Sequence, residues 1–194
     1  MYENLYSKIT DALVNDGYII IENALNLTFA HNLANLAKNI TDYKRAGIST
    51  KSELDDTRRR DKIYWIDEED DSREYLSFTN GLREYLNQNL YLGLTYYEAH
   101  FARYDTNDFY EKHLDAFKNS KNRVVTTVYY LNEDWDEKNG GELIIYDEEN
   151  RPLTKVIPNA NTLVIFMSEK FPHEVQKSNA VRYSIAGWYR VDKI

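Results

Sequence analysis

A chain of 194 residues with 42% apolar and 29% charged residues has the composition of a single globular domain rather than a disordered segment. It contains no cysteine, which excludes disulfides and thiolate zinc sites, and no apolar run is long enough to span a bilayer. The net charge of −8 argues against binding to nucleic acid, and the lack of a basic, apolar leader predicts a cytoplasmic protein.

The first 92 residues are predicted to be mainly helical. Apolar residues recur at helical spacing in three segments, at 2–15, 28–43 and 72–90. Short apolar runs at 18–22 and 61–66 predict strands. Residues 44–61 are polar, charged and aperiodic, and we expect them to form a mobile loop.

From residue 93 onward the pattern changes to short strands separated by turns. Eight such strands are predicted, at 95–103, 109–116, 123–131, 141–147, 153–157, 161–167, 172–176 and 181–191. Strands of this number and length are typical of a sandwich, jelly roll or barrel. The expected fold is therefore a mainly β core over 93–194, with the helices of 1–92 packed on it in one domain, 1–194.

Two imidazoles and one carboxylate stand out as candidate metal ligands. His113 and Asp115 are two residues apart in a predicted strand, so their side chains should point to the same face. A later strand carries His173. This ligand set is that of the facial triad of non-haem Fe(II) oxygenases, which leaves open metal positions for other ligands. A His-x-Asp tripeptide alone is weak evidence, because it also arises by chance in strands.

The last strand carries an arginine that could bind the carboxylate of a cosubstrate. Alternation predicts that one face of this strand holds Arg182, Ser184, Ala186 and Trp188. In the same way, one face of the strand at 123–131 should hold Val124, Thr126, Val128 and Tyr130. A 2-oxo acid that chelates the metal could then be held at its far carboxylate by Arg182 and Tyr130.

Several segments resemble one enzyme family. The matching segments are 16–22, 60–65, 123–135, 140–143, 172–175 and 182–183. They resemble the 2-oxoglutarate- and Fe(II)-dependent prolyl hydroxylases, in the branch of the animal hypoxia-inducible-factor prolyl hydroxylases and their bacterial relatives. The resemblance extends over nearly the whole chain. It implies a double-stranded β-helix (jelly-roll, cupin-like) core, with Fe(II), 2-oxoglutarate and O2 as reactants and ascorbate as a reductant.

The resemblance also implies a role for each matched residue. The Fe(II) ligands would be His113, Asp115 and His173, which carry catalysis together with Arg182. The cosubstrate would be bound by Arg182, Tyr130, Tyr104 and Trp188. The substrate would be contacted by Tyr110, Arg123, Asp61 and Trp65, and the loop at 44–61 would fold over it.

Two positions depart from the animal enzymes. Ala186 stands where those enzymes carry a hydroxylated side chain near the cosubstrate. His100 stands at a position that is apolar in them. A histidine within a strand is more often packed or hydrogen-bonded in the core than a ligand, so the role of His100 stays open.

Three functions follow from these observations. The first is hydroxylation of a prolyl residue in a protein, by a monomeric cytoplasmic enzyme for which elongation factor Tu is a plausible substrate. The second keeps the same chemistry but acts on a free amino acid or another small metabolite, although a large charged loop favours a protein. The third is a non-catalytic jelly-roll module that holds a metal or a sugar, and it predicts no turnover of 2-oxoglutarate. None of the three has a nucleic acid or a membrane as partner.

Overall fold

The computed structural model describes residues 2–47, 54–67, 72–116 and 122–191. The helices in these ranges are α1 (Glu3–Asn15), α2 (Leu27–Asn39) and α3 (Arg73–Leu90). The strands are β1 (Tyr18–Ile21), β2 (Lys44–Arg45), β3 (Lys62–Trp65), β4 (Tyr96–Tyr104), β5 (Tyr110–His113), β6 (Arg123–Tyr130), β7 (Leu143–Tyr146), β8 (Pro152–Val156), β9 (Leu163–Met167), β10 (His173–Val175) and β11 (Arg182–Arg190). None of the described helices is long and apolar enough to cross a membrane.

The strands form two antiparallel sheets of unequal size. The major sheet has seven strands in the order β1-β9-β6-β11-β4-β3-β2. The minor sheet has four strands in the order β5-β10-β7-β8. This arrangement confirms the predicted mainly β fold, and it shows that three strands from the first half of the chain extend the major sheet.

Each face of the major sheet packs against a different layer. Phe101, Tyr129 and Ile185 point to the helices and form one apolar core with them. Residues of alternate register, such as Ala102 and Val128, point the other way and pack with Leu143 of the minor sheet in a second core. The functional side chains predicted on β4, β6 and β11 point toward this second layer.

Local signals in the sequence bound the first two helices. Gly17 adopts a φ of +80°, a conformation that favours glycine, directly after α1. The side chain of Asn26 accepts hydrogen bonds from the backbone N–H groups of Thr28 and Phe29, which caps the start of α2. Both helices then bury their apolar stripes against the major sheet.

Two predicted boundaries in the first half are wrong. We expected α2 to continue to residue 43, but Ile40 is already extended, with φ −65° and ψ 124°. The chain leaves the helix there because Lys44 and Arg45 pair with β3 as a short edge strand. The predicted loop therefore begins after β2, and its residues 48–53 lie outside the described residues.

A bulge corrects the predicted face of β6. Val125 pairs with Tyr189 of β11, whereas the next pair joins Arg123 to Arg190, so Val124 is an extra residue. Val124 consequently packs against the helix-side core and not on the face of Tyr130. The same bulge turns Arg123 toward the ring of Trp188, with its guanidinium carbon 3.7 Å from the ring centroid.

Candidate active site

Three predicted metal ligands meet between two strands of the minor sheet. His113 ends β5 and His173 begins β10, and the two are direct register partners. Asp115 lies just beyond β5, and its carboxylate oxygens are 3.7 Å from Nε2 of His113 and 3.5 Å from Nε2 of His173. One ligand atom from each residue lies within 4.8 Å of the others. The structure thus brings the predicted triad together, although Asp115 does not share the strand of His113 as we expected.

Backbone carbonyls orient both imidazole rings. Nδ1 of His113 lies 2.7 Å from the carbonyl oxygen of Glu111, and Nδ1 of His173 lies 3.0 Å from that of Phe171. A carbonyl oxygen can only accept, so each Nδ1 carries the proton and donates it. In the neutral form of each ring Nε2 is then the nitrogen with a free lone pair, and it faces Asp115, which is the arrangement that a metal requires.

The carboxylate of Asp115 is held in its ionised form. Burial by itself would raise the pKa of Asp115, but the polar and charged groups around it, His173, His113 and Arg123, outweigh burial and hold the pKa below its usual range. The hydroxyl of Thr126 donates to its Oδ2 at 2.9 Å. Its Oδ1 faces Nε2 of His113. A donor set of one carboxylate and two imidazoles suits a divalent metal such as Fe(II).

Arg182 lies at the bottom of the site, and none of the residues that the structure describes gives it a carboxylate partner. It is 1% exposed, and its guanidinium carbon is 4.8 Å from the ring centroid of Tyr104 and 5.0 Å from that of Tyr130. Its Nη1 donates to the hydroxyl of Ser184 at 3.3 Å. Within the described ranges, neither Nε of Arg182 nor the buried hydroxyl of Tyr130 has a hydrogen-bond partner. A buried cation beside an unpaired hydroxyl fits the carboxylate of a bound acid.

A narrow cavity joins Arg182 to the triad, and we call it the inner cavity. Its walls include Tyr104, Thr126, Val128, Ser184, Ala186, Trp188, Arg182 and the three triad residues. Ala186 leaves space in this wall, as the sequence predicted, because it has no side chain beyond Cβ. The inner cavity can therefore hold a small acid between the metal ligands and the arginine.

His100 lies where the inner cavity opens outward. Its ring is 2% exposed and packs between Trp65, at 5.1 Å, and Trp188, at 5.4 Å between centroids. It is also the register partner of Ala186 on β11. Burial, followed by the charge of Arg59, lowers the pKa of His100 to about 3, so the ring is neutral. The structure thus places His100, whose role the sequence did not decide, in the wall of the site.

Outside His100 the site widens into a groove of about 1080 Å³, which we call the outer groove. It runs between β2, β3 and the outward ends of β4, β6 and β11, and its lining includes Lys44, Arg45, Arg59, Trp65, Glu98, Tyr110, Arg123 and Arg190. Trp65 is 50% exposed there. A groove of this size can accept a peptide segment as well as a metabolite.

Asp61 is not free to contact a substrate directly. Its carboxylate, 1% exposed, accepts hydrogen bonds from Nε and Nη2 of Arg59 at 2.6 and 2.8 Å. The Arg59 guanidinium lies 4.4 Å from the ring of Tyr110, and that ring stacks on His113 at 3.6 Å. Asp61 therefore acts on the site through Arg59 and Tyr110.

Some residues of the site were not predicted. The sequence indicated that Thr126 faces the site but not that it holds Asp115, and it indicated no role for Glu98 or Arg59. Thr126 could have been found from the alternation of β6 once the position of Asp115 was known. Glu98 and Arg59 carried no signal, because charged residues in strands and loops are usually solvated.

Comparison with known proteins identifies relatives of the chain. The model of the 2OG-Fe(II) oxygenase superfamily matches residues 99–190, which include the triad and Arg182. Prolyl hydroxylase EGLN3 of Homo sapiens is 36% identical over 156 residues, covering 75% of this chain and 62% of that protein. Egl nine homolog 1 of Rattus norvegicus is 34% identical over 151 residues, covering 73% and 44%. The chain thus spans roughly half the length of these curated relatives.

Two solved structures are similar over almost the whole chain. A Pseudomonas putida prolyl-4-hydroxylase has a TM-score of 0.88 and 32% identity, and the match covers 97% of this chain and 100% of that one. A Trichoplax adhaerens prolyl hydroxylase, solved with a peptide of the hypoxia-inducible-factor oxygen degradation domain, has a TM-score of 0.88 and 28% identity over 97% and 90%. Both support the expected double-stranded β-helix. The chain therefore belongs to the 2OG-Fe(II) oxygenase superfamily, within the branch of the hypoxia-inducible-factor-type prolyl hydroxylases.

Proposed function

We propose that this protein hydroxylates a prolyl residue of a protein and couples that step to oxidation of 2-oxoglutarate to succinate and CO2. The observation that carries the proposal is the joint geometry of the metal triad, the unpaired buried Arg182 and a groove of about 1080 Å³ that opens above them. The names of the relatives support the prolyl substrate, since both similar solved structures are prolyl hydroxylases.

The triad residues are assigned to the metal. His113, Asp115 and His173 would hold Fe(II), which when bound supplies the centre at which O2 is reduced and the substrate C–H bond is oxidised. The carbonyl oxygens of Glu111 and Phe171 accept from Nδ1 of the two rings, which leaves Nε2 of each neutral ring as the nitrogen that can bind the metal. Acid should abolish metal binding, because protons then compete with the metal for these atoms.

The inner cavity is assigned to 2-oxoglutarate. Its distal carboxylate would lie between the guanidinium of Arg182 and the hydroxyl of Tyr130, since Nε of the arginine and the hydroxyl have no hydrogen-bond partner within the described ranges. Tyr104, the register partner of Arg182 on β4, lines the cavity beside the guanidinium. Trp188, whose buried indole N–H also has no partner there, closes the cavity on the side of Asp115. Together they orient the acid and exclude water from the metal.

The outer groove is assigned to the protein substrate. Tyr110 and Arg123 stand at the junction between groove and cavity, and the exposed Trp65 offers an apolar contact. Asp61 contributes by holding Arg59 in place. The loop that we expected to fold over the substrate lies partly outside the described residues, so its role rests on the sequence.

The two alternatives can be weighed against this site. A small-metabolite hydroxylase would use the same triad and Arg182, and the size of the outer groove favours a protein substrate over it. The non-catalytic module is opposed by membership of an oxygenase family whose model spans the complete triad. Elongation factor Tu as substrate, ascorbate as reductant, a monomeric state and a cytoplasmic location stay predictions.

A proteomic comparison tests the function. Peptides from cells with and without the gene are compared by mass spectrometry, and we expect a prolyl residue that gains one oxygen atom only when the gene is present. Cells that carry the Asp115→Ala variant should lack the modification, while circular dichroism shows that the variant is folded. Turnover of 2-oxoglutarate by the purified enzyme without any modified prolyl peptide in cells would favour the metabolite alternative.

A further inference from the structure

One carboxylate at the mouth of the outer groove serves two arginines. Oε1 of Glu98 accepts hydrogen bonds from Nη2 and Nε of Arg123 at 3.0 and 3.3 Å, and from Nη1 of Arg190 at 2.7 Å. We call Arg123 and Arg190 the arginine pair. Two fixed positive charges thus share this single carboxylate. The nearby Asp115, on which Arg123 also acts, is assigned to the metal, so the pair keeps one positive charge in excess.

The arginine pair keeps hydrogen-bond donors for a further anion. Each guanidinium has five N–H donors, and Glu98 uses only part of them. Nε of Arg190 is buried and has no partner among the residues that the structure describes. The guanidinium carbon of Arg123 lies 3.7 Å from the ring centroid of Trp188, and that of Arg190 lies 5.3 Å from the ring centroid of Tyr96, so an aromatic ring holds each cation in place.

The two other arginines that line the groove, the half-buried Arg59 and the exposed Arg45, are each paired with one carboxylate. Arg59 pairs with Asp61, and Arg45 pairs with Asp56. The excess at the arginine pair is therefore local, and it opposes the net charge of −8 of the whole chain. A positive excess held by aromatic stacking in a groove wall is suited to bind a carboxylate.

We propose that the substrate segment carries an acidic side chain close to the target proline, and that its carboxylate binds between Arg123 and Arg190. This inference rests on the proposed function. Arg190 lies two residues beyond Trp188 along β11, a span of about 7 Å, and Trp188 lines the inner cavity beside the triad. A carboxylate two or three residues from the proline can therefore reach the pair while the proline ring lies at the metal.

Peptide binding to the holoenzyme tests the inference directly. Fluorescent prolyl peptides that carry Glu or Gln at each of three positions on either side of the proline are titrated, without O2, into the enzyme loaded with Fe(II) and 2-oxoglutarate. We expect at least one Glu peptide to bind roughly three- to tenfold more tightly than its Gln counterpart. Equal affinities at every position, or tighter binding of a Lys series, would overturn the inference.

Three variants locate the effect. Arg190→Gln should abolish the preference for Glu over Gln, whereas Glu98→Gln should enlarge it, because the pair then loses its internal anion. Arg151→Gln makes the same change in net charge at a side chain that is 71% exposed outside the groove, and it should leave the preference unchanged. Thermal unfolding followed by circular dichroism verifies that each variant is folded. A loss of affinity for Glu and Gln peptides alike in Arg190→Gln would mean a purely structural role and would contradict the inference.

Failure of the inference and failure of the proposed function are distinguishable. If Glu and Gln peptides bind equally and both are hydroxylated under O2, only the acidic substrate class is wrong. If a Glu peptide binds more tightly but no prolyl peptide gains oxygen while 2-oxoglutarate is consumed, the prolyl function is wrong.

Discussion

The buried polar groups at the bottom of the inner cavity lack anionic partners within the described ranges, whereas the arginines of the outer groove are paired with carboxylates. In the inner cavity, Arg182 and Tyr130 are buried with no anion beside them within the described ranges. In the outer groove, Arg59 is paired with Asp61 and the arginine pair shares Glu98. Buried polar groups cost free energy unless a partner satisfies them. The polar groups of the inner cavity are thus suited to bind small ligands. Those of the groove mostly bind one another, and one local positive charge is left to select among substrates.

The inner cavity should therefore determine the chemistry, and the outer groove should determine which substrate is bound. Changes in the inner cavity should impair binding of metal or cosubstrate whichever peptide is offered. Changes in the outer groove should alter the affinity for peptides and leave the cosubstrate unaffected. The variants below test that separation in order of decreasing effect.

Replacing Arg182 should have the largest effect. In Arg182→Met the stem is kept but the charge is lost, and the carboxylate of 2-oxoglutarate then has no cationic partner. We expect its KM to rise about a hundredfold or more, the range for removing one partner of a buried charge pair. Succinate formation at varied 2-oxoglutarate measures it, with Arg151→Met as the control. An unchanged KM would refute the assignment of the inner cavity.

Thr126→Val should weaken metal binding more moderately. The replacement keeps the shape but removes the hydroxyl that donates to Asp115 at 2.9 Å. Loss of a hydrogen bond to a metal ligand costs roughly ten- to a hundredfold in metal affinity. Anaerobic Fe(II) titration measures the change, and Thr154→Val on β8 is the matched control. Equal affinities for the two variants would show that this hydroxyl does not support the metal.

His100 should make the metal-free protein sensitive to acid. The fold lowers its pKa to about 3, whereas an exposed histidine titrates near 6.5. Between these pH values the unfolded chain binds a proton that the folded chain does not, so the free energy of unfolding falls as pH falls. One such group contributes up to about 1.4 kcal/mol per pH unit. Urea unfolding with EDTA should give a shallower pH dependence for His100→Leu, and an identical slope would contradict the shift.

Trp65→Ala should have the smallest effect and should be confined to the groove. The ring is 50% exposed and contacts His100 edge-on. We expect the KM for a prolyl peptide to rise only a few fold, in the range of a half-exposed interface side chain. The KM for 2-oxoglutarate should stay unchanged. A comparable rise in both constants would mean that groove and cavity are not separate sites.

Most of the chemistry could be predicted because it depends on short-range patterns. Alternation along β11 predicted that Arg182 and Trp188 lie on one face, and in the structure both line the inner cavity. The eight predicted strands of the second half correspond to β4–β11 within a few residues. Period-2 alternation works where a strand has one buried face and no irregularity.

The same pattern failed where the backbone departs from regularity. The bulge at Val124 reverses the expected face and brings Arg123 into the groove. The early end of α2 at Asn39 depends on the pairing of β2 with β3, which helical spacing does not encode. Both departures are set by the neighbouring strand and not by the local residues.

The sequence by itself determined the ligand types, the order of strands along the chain and, where a strand is regular, the side of the strand on which its residues lie. Only the tertiary structure decided which side chains bind one another across the fold: Thr126 binds Asp115, and both Arg123 and Arg190 bind Glu98. Periodicity fixes the direction of a side chain, but its partner depends on which distant strand lies alongside. The metal ligands could accordingly be predicted from their residue types and motifs, whereas the shared carboxylate of the arginine pair could not, because its partners lie on different strands.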